Sequence, residues 1–169
     1  MHILGIDPGV ATIGIGIIEI TSPYDIKAKD WLTIRTKAST LFADRLQEIQ
    51  DDIMGILKEH HPDIAVIERL FFAKNKQTAL EVAHARGVIL CTISRTVHQI
   101  LEPSPPQWKL AITGDGSASK EQIQRMIQRQ LHLSQIPRPD DAADALALAL
   151  YGATHSSLFR QNLCLNTSF

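Results

Sequence analysis

Four carboxylates carry the chemical potential of this chain: Asp7, Glu68, Asp141 and Asp144. Asp7 closes the apolar run "HILGID", after which Pro8-Gly9 turns the chain, and Glu68 closes "IAVIE" in the same way. Acids at the ends of buried strands are costly unless paired, hydrogen-bonded or bound to a cation. In sheets with helical crossovers, ligands gather outside the carboxyl ends of the strands. Either acid alone is equally well accounted for by backbone hydrogen bonds at a strand end. Asp141 and Asp144, in "PRPDDAADALALAL" (137–150), are three residues apart and share one helical face. Aspartate favours a helix N-terminus, which accounts well for Asp140, adequately for Asp141 and poorly for Asp144. The alanines around Asp144 leave room for this helix to approach the sheet, where its two acids would meet Asp7 and Glu68. A set of oxygen donors suits a hard cation, Mg²⁺ or Mn²⁺. Two such ions about 3.5–4 Å apart activate water and stabilise the leaving oxygen in phosphodiester hydrolysis. The seven histidines show no ligand spacing, and His60-His61 reads as a helix end.

These acids need a scaffold, and the periodicity supplies one. "HILGID" and "TIGIGIIEI" (12–20), joined by the turn signal "PGVA", predict a hairpin, and "AKDWLTIRT" follows the turn "TSPYD" as a third strand. Phe42, Leu46, Ile49, Ile53, Ile56 and Leu57 then recur every three or four positions, predicting an amphipathic helix capped by Ser39 or Thr40. "IAVIERL" is a buried strand. "KQTALEVAHARGVILCTISRTVHQ" is a long helix in which Gly87 allows close packing. "ILEPSPP" is a strand running into a proline break, and "SKEQIQRMIQRQLHL" is a helix capped by Ser119, with a glutamate slightly out of register for a capping box. A helix from Asp140 completes the order. Strands first and strand–helix alternation afterwards predict a mixed sheet covered by helices.

Bulk properties narrow the class. The 169 residues are 44% hydrophobic and 21% charged, as in a soluble globular protein of one domain. No apolar run is long enough to span a membrane, and "MHILGIDPGV" lacks the basic leader of a signal peptide. Cys91 and Cys164 are too few for a disulfide scaffold and read as reduced thiols of a cytoplasmic protein. The net charge is −1, yet residues 69–129 hold 9 Lys/Arg against 4 Asp/Glu. Such a locally basic segment is either a solvated surface or a face that attracts phosphates.

The segments "ILGIDPGVATIGIGII", "IAVIERLFFAKN", "ALEVAHARGVIL", "GSASKEQIQRMI" and "DAADALALAL" resemble, in order from residue 3 to about 150, the motifs of RuvC-type Holliday-junction endonucleases. "GIDPG" alone is weak; the ordered set is specific. The resemblance implies an RNase H-like α/β fold, a five-stranded mixed sheet flanked by helices on both faces. The domain so implied is expected to span residues 1–154, with 155–169 as a C-terminal tail. It implies a homodimer that nicks opposed strands of a four-way DNA junction, leaving 5′-phosphate and 3′-hydroxyl ends, and a RuvA–RuvB branch-migration complex as partner. Asp7, Glu68, Asp141 and Asp144 fall on the family's four metal-binding acids, which implies two Mg²⁺ per subunit, with Mn²⁺ as a substitute. Asp140 is left to capping. Phe71 matches the aromatic inserted against junction bases, with Phe72 as the competing neighbour. Flanked by Arg69, Lys74 and Lys76, an exposed aromatic there suits stacking on an unpaired base. Lys109 and Lys120 match basic residues near the catalytic centre, placed to contact phosphates or offset charge on the scissile group.

The chain departs from the family in not being basic overall. Asp51, Asp52, Glu59 and Asp63 are expected to lie away from DNA, and junction binding is expected to weaken with salt. Two other classes stay open at this point. A strand ending "DPG" before a glycine-rich strand also resembles the phosphate-binding start of actin-like kinases and ATPases, which ATP binding would reveal. A non-catalytic DNA- or RNA-structure binder on the same fold would bind junctions without metal-dependent nicking.

Overall fold

The computed structural model of the protein describes residues 1–22, 24–70 and 76–156, with the backbone alone for 76–78. Its elements are β1 (His2–Asp7), β2 (Thr12–Ser22), β3 (Asp25–Arg35), α1 (Phe42–His60), β4 (Ile64–Ile67), α2 (Lys76–Ile93), β5 (Gln99–Leu101), α3 (Pro105–Thr113), α4 (Lys120–Gln130) and α5 (Asp140–Thr154). The five strands lie in the order β3-β2-β1-β4-β5. β1–β2 and β2–β3 pair antiparallel, while β1–β4 and β4–β5 pair parallel. With helices on both faces, the architecture is the expected RNase H-like one. Among the described residues no helix is long and apolar enough to cross a membrane.

The strand period of two sorts side chains between two cores. In β1, Leu4 and Ile6 enter a core with Ile13, Ile15 and Ile17 of β2 and Ala65 and Ile67 of β4, capped by Ile49 and Ile53 of α1 and Ile89 of α2. Ile3 of β1, Ile18 and Ile20 of β2, and Ile64 and Val66 of β4 face the other way, toward α5, α3 and α4. Asp7 and Glu68 continue this second parity, so alternation alone turns both acids toward α5. The helix α5 is buried along Ala142–Ala143 and Ala145–Leu150 because it lies between the sheet and the outer helices α3 and α4.

Several expectations are corrected. Ser39 and Thr40 do not cap α1: they lie in a turn in which Thr40 N–H donates to Lys37 O at 3.1 Å, and Leu41 is the N-cap, without a side-chain bond. The histidine pair does end α1, with His61 at φ 44° returning its N–H to Leu57 O at 3.1 Å. The pattern over 76–99 overran α2, which stops at Ile93 where Val97 N–H turns back to Ile93 O at 2.9 Å. Gly87 makes no close packing, since a Cβ added there meets nothing within 4 Å. The capping box of α4 pairs Ser119 with Gln122, not with a glutamate: Ser119 N–H donates to Oε1 at 2.7 Å and Gln122 N–H to Oγ at 3.3 Å. The proline break conceals α3. Pro105-Pro106 start that helix, where missing N–H groups cost nothing, and Ser104 N–H donates to Gln107 Oε1 at 2.8 Å.

Candidate active site

Asp7 is the last residue of β1, and its register partner on β2 is Gly14. On the other side Ile6 pairs with Ile67 of β4, and Glu68 N–H donates to Ile6 O at 3.2 Å. Asp7 and Glu68 therefore end adjacent strands, side by side. The third segment arrives by close packing. A Cβ placed on Gly14 would overlap the carbonyl oxygen of Asp141. One on Gly5 would overlap Ala145 O, and one on Gly16 would run into the backbone at Ala145 and Leu146. Bare strand backbone at Gly5, Gly14 and Gly16 thus lets α5 seat its backbone on the sheet. The alanines were the expected source of this approach, and they supply only the helix half of it. The glycines of "LGID" and "TIGIGI" were the signal that carried the other half.

The electrostatics follow from that seating. Burial, the repulsion of Glu68, Asp144 and Asp141, and only partial relief from Lys120 push the Asp7 carboxyl well above the usual range. Burial also raises Glu68, against the opposing effects of the Trp108 hydrogen bond and the charge of Lys109. Asp144 is pushed up to about 6, by burial first, with Lys120 and Lys109 working against it and Glu68 and Asp141 adding repulsion. Its Oδ1 is buried and has no hydrogen-bond partner among the described residues. Like charges gathered in partly desolvated surroundings lack a full counter-charge, since Lys120 and Lys109 offset them only in part. A divalent cation supplies one, and an all-oxygen donor set with an orphaned buried carboxylate oxygen fits Mg²⁺ or Mn²⁺. Among the described residues, no three His, Cys, Asp or Glu side chains are gathered closely enough to hold a metal ion as they stand. The acids nevertheless share one electrostatic field.

The other expected residues divide. Lys120, exposed at the start of α4, pairs with Asp140 at 3.2 Å, and its charge is felt by Asp7 and Asp144. Lys109 lies on α3 with its ammonium 5.6 Å from the Trp108 ring centre, and its charge acts on Glu68 and Asp144. Arg69 is exposed beside Glu68, its main chain fixed by an N–H bond to Pro103 O at 2.9 Å. Phe71, Phe72, Lys74 and the side chain of Lys76 lie outside the described residues. Asp51, Asp52 and Glu59 are exposed on α1, across the sheet from α5, and Asp63 precedes β4 at the end opposite Glu68.

Asp140 does not cap α5. Pro139 is the N-cap, and Asp140 is the first helical residue. Its carboxylate accepts from Gln124 Nε2 at 2.9 Å and Arg138 Nη1 at 3.0 Å and pairs with Lys120. The Lys120 bond above all holds its carboxyl below the ordinary range. The residue thus ties α4 to α5 rather than satisfying backbone N–H groups. Sequence reasoning also missed Trp108 and Arg86. The Trp108 indole N–H donates to Glu68 Oε1 at 2.8 Å, and Arg86 Nε donates to Glu68 O at 2.9 Å. Neither has a local sequence signal, because each meets Glu68 only through the fold.

Comparison with known proteins places this geometry. A family model described as Crossover junction endodeoxyribonuclease RuvC matches residues 3–155. The crossover junction endodeoxyribonuclease RuvC of Gloeobacter violaceus is 46% identical over 155 residues, covering 92% of this chain and 89% of its own. That of Caldicellulosiruptor saccharolyticus is 44% identical over 157 residues, covering 93% and 95%. The solved structure of Thermus thermophilus RuvC aligns with a TM-score of 0.83 at 28% identity, covering 92% of this chain and 95% of that one. The same protein in complex with Holliday junction substrate aligns with a TM-score of 0.80 at 25% identity, covering 92% and 94%.

Proposed function

Because the chain belongs to the RuvC family of crossover junction endodeoxyribonucleases, we propose that it resolves four-way DNA junctions by nicking two opposed strands, using Asp7, Glu68, Asp141 and Asp144 to hold two Mg²⁺ ions. It is an endonuclease that hydrolyses DNA phosphodiester bonds. The observation that carries the metal reading is the convergence of four acids from three distant segments, with Asp144 Oδ1 left without a partner among the described residues. When bound, the two ions supply activation of the attacking water and stabilisation of the leaving oxygen; Mn²⁺ serves in place of Mg²⁺.

The chain's own groups do the rest. Asp7 and Glu68, fixed at adjacent strand ends, set one side of the site, and Asp141 and Asp144 set the other. Lys109 and Lys120 stand at its edge, where an ammonium can hold the scissile phosphate or offset its growing charge. Arg69 extends the positive rim, and with Phe71, Lys74 and Lys76 it forms the DNA-contacting segment of this reading. A homodimer supplies two such sites at a fixed separation, which selects four-way junctions by shape. The RNase H-like unit is residues 1–154, followed by a tail. The enzyme works in the cytoplasm with a RuvA–RuvB branch-migration complex.

The test is a synthetic four-way junction incubated with the protein and Mg²⁺. Paired nicks across the junction are expected, lost in Asp7→Asn with junction binding retained. Equal cutting by that variant would remove the proposed metal site. ATP hydrolysis without nicking would favour the actin-like class instead.

A further inference from the structure

We infer that Trp108 is a positioning residue for Glu68, through which α3 sets the affinity of the acid cluster for divalent cations. This rests on the reading that these acids hold metal ions. Trp108 is 3% exposed and packs in the core between the sheet and the outer helices. A buried indole N–H needs an acceptor, and here the acceptor is Glu68 Oε1 at 2.8 Å. Among the described residues this is the one hydrogen bond that the Glu68 carboxylate receives.

The main chain of Glu68 is fixed independently. Its N–H donates to Ile6 O at 3.2 Å, and its carbonyl accepts from Arg86 Nε at 2.9 Å, with Arg86 in turn paired to Glu102. That leaves the side-chain torsions to be set, and Trp108 sets them by engaging one oxygen and leaving Oε2 for a cation. The donor is neutral, which separates it from the two cations that pair with Asp140. Lys120 and Arg138 pair with Asp140 and cancel its charge. An indole orients Glu68 while the full negative charge of the cluster is kept for the metal. Groups that orient a metal ligand typically change affinity by 10–100-fold when removed.

The test compares the wild type with Trp108→Phe, which keeps a ring in the core and removes the donor. Calorimetric titration with Mn²⁺ should show affinity about tenfold weaker in the variant. The Mg²⁺ concentration for half-maximal nicking should rise by a similar factor, with the rate recovering at saturating Mg²⁺. A role in packing alone would lower the melting temperature and the rate without moving either metal midpoint, and that result overturns the inference. If the variant does not fold, the indole N–H resonance of Trp108 in the wild type decides, with Trp31→Phe providing the assignment. The Trp108 proton should exchange slowly with solvent and shift on adding Mg²⁺. Fast exchange with no Mg²⁺ response overturns the inference. A wild type that binds no Mn²⁺ removes the metal reading and this inference with it; wild-type binding with an unaltered variant removes only the inference.

Discussion

In the first turn of α5, Asp140 meets Lys120, Arg138 and Gln124. One turn further along the helix, Asp144 keeps a buried oxygen that has no partner among the described residues. The two residues have the same side chain, on the same helix, four positions apart. Partners hold the Asp140 carboxyl below its ordinary range, while burial carries Asp144 up to about 6. A carboxylate with three partners is already satisfied and holds elements together. One held among other acids stores unbalanced charge, and that imbalance is what a divalent cation relieves.

The contrast can be broken by substitution. The largest effect is on the reaction. Asp144→Asn should reduce nicking of a four-way junction on the order of a thousandfold or more, with junction affinity in a gel-shift assay retained. Asp140→Ala should reduce nicking by about tenfold or less, because its absence loosens Lys120 and leaves the four acids in place. Comparable losses in the two would erase the distinction between them.

Next in size is the seating that brings α5 to the sheet. Gly14→Ala puts a methyl group into the carbonyl of Asp141. Overpacking of this kind costs about 3 kcal/mol, visible as a lower denaturant midpoint. Cleavage should fall with it, because Asp141 is displaced from Asp7. Unchanged stability would mean that α5 does not lie on bare strand backbone.

A smaller effect sharpens the electrostatic half. The folded-state pKa of Asp144 is raised, so the unfolded chain gives up this proton at lower pH than the folded one. The associated stability is present in full below the unfolded value near 4 and is lost as pH rises through about 6. Metal-free protein should therefore melt at a lower temperature at pH 7.5 than at pH 5. Asp144→Asn should flatten that slope and stabilise the metal-free protein at pH 7.5 by about 1–2 kcal/mol. The same substitution that abolishes nicking would then strengthen the fold, and a destabilised variant would count against unrelieved repulsion. Smallest of all is the melting temperature of Asp140→Ala, which should fall by less than that of Gly14→Ala, since its ion pairs are solvent-screened.

Much of this was legible in the residues. "HILGID" and "IAVIE" declared strands ending in acids, and three-residue spacing declared that Asp141 and Asp144 share a face. The misreadings share one cause. Pro105-Pro106 breaks a chain or starts a helix according to the residues after it, and α3 was lost to the first meaning. Gly87 and the strand glycines look alike in sequence, yet only Gly5, Gly14 and Gly16 face a backbone that needs the space. Asp140 has the composition of a cap, but a cap depends on local dihedral angles, and Pro139 occupies that place.

The sequence by itself determined the strands, the strand and helix periods of two and about 3.6 residues, and therefore the direction in which each acid points from its own element. These are local properties, set by neighbours a few positions away. Only the tertiary structure decided which acids are satisfied and which are not. Trp108 reaches Glu68 across 40 positions, and Lys120 reaches Asp140 across 20. Desolvation and charge depend on distance in space, and no spacing along the chain encodes that distance until α5 has settled on the glycines of the sheet.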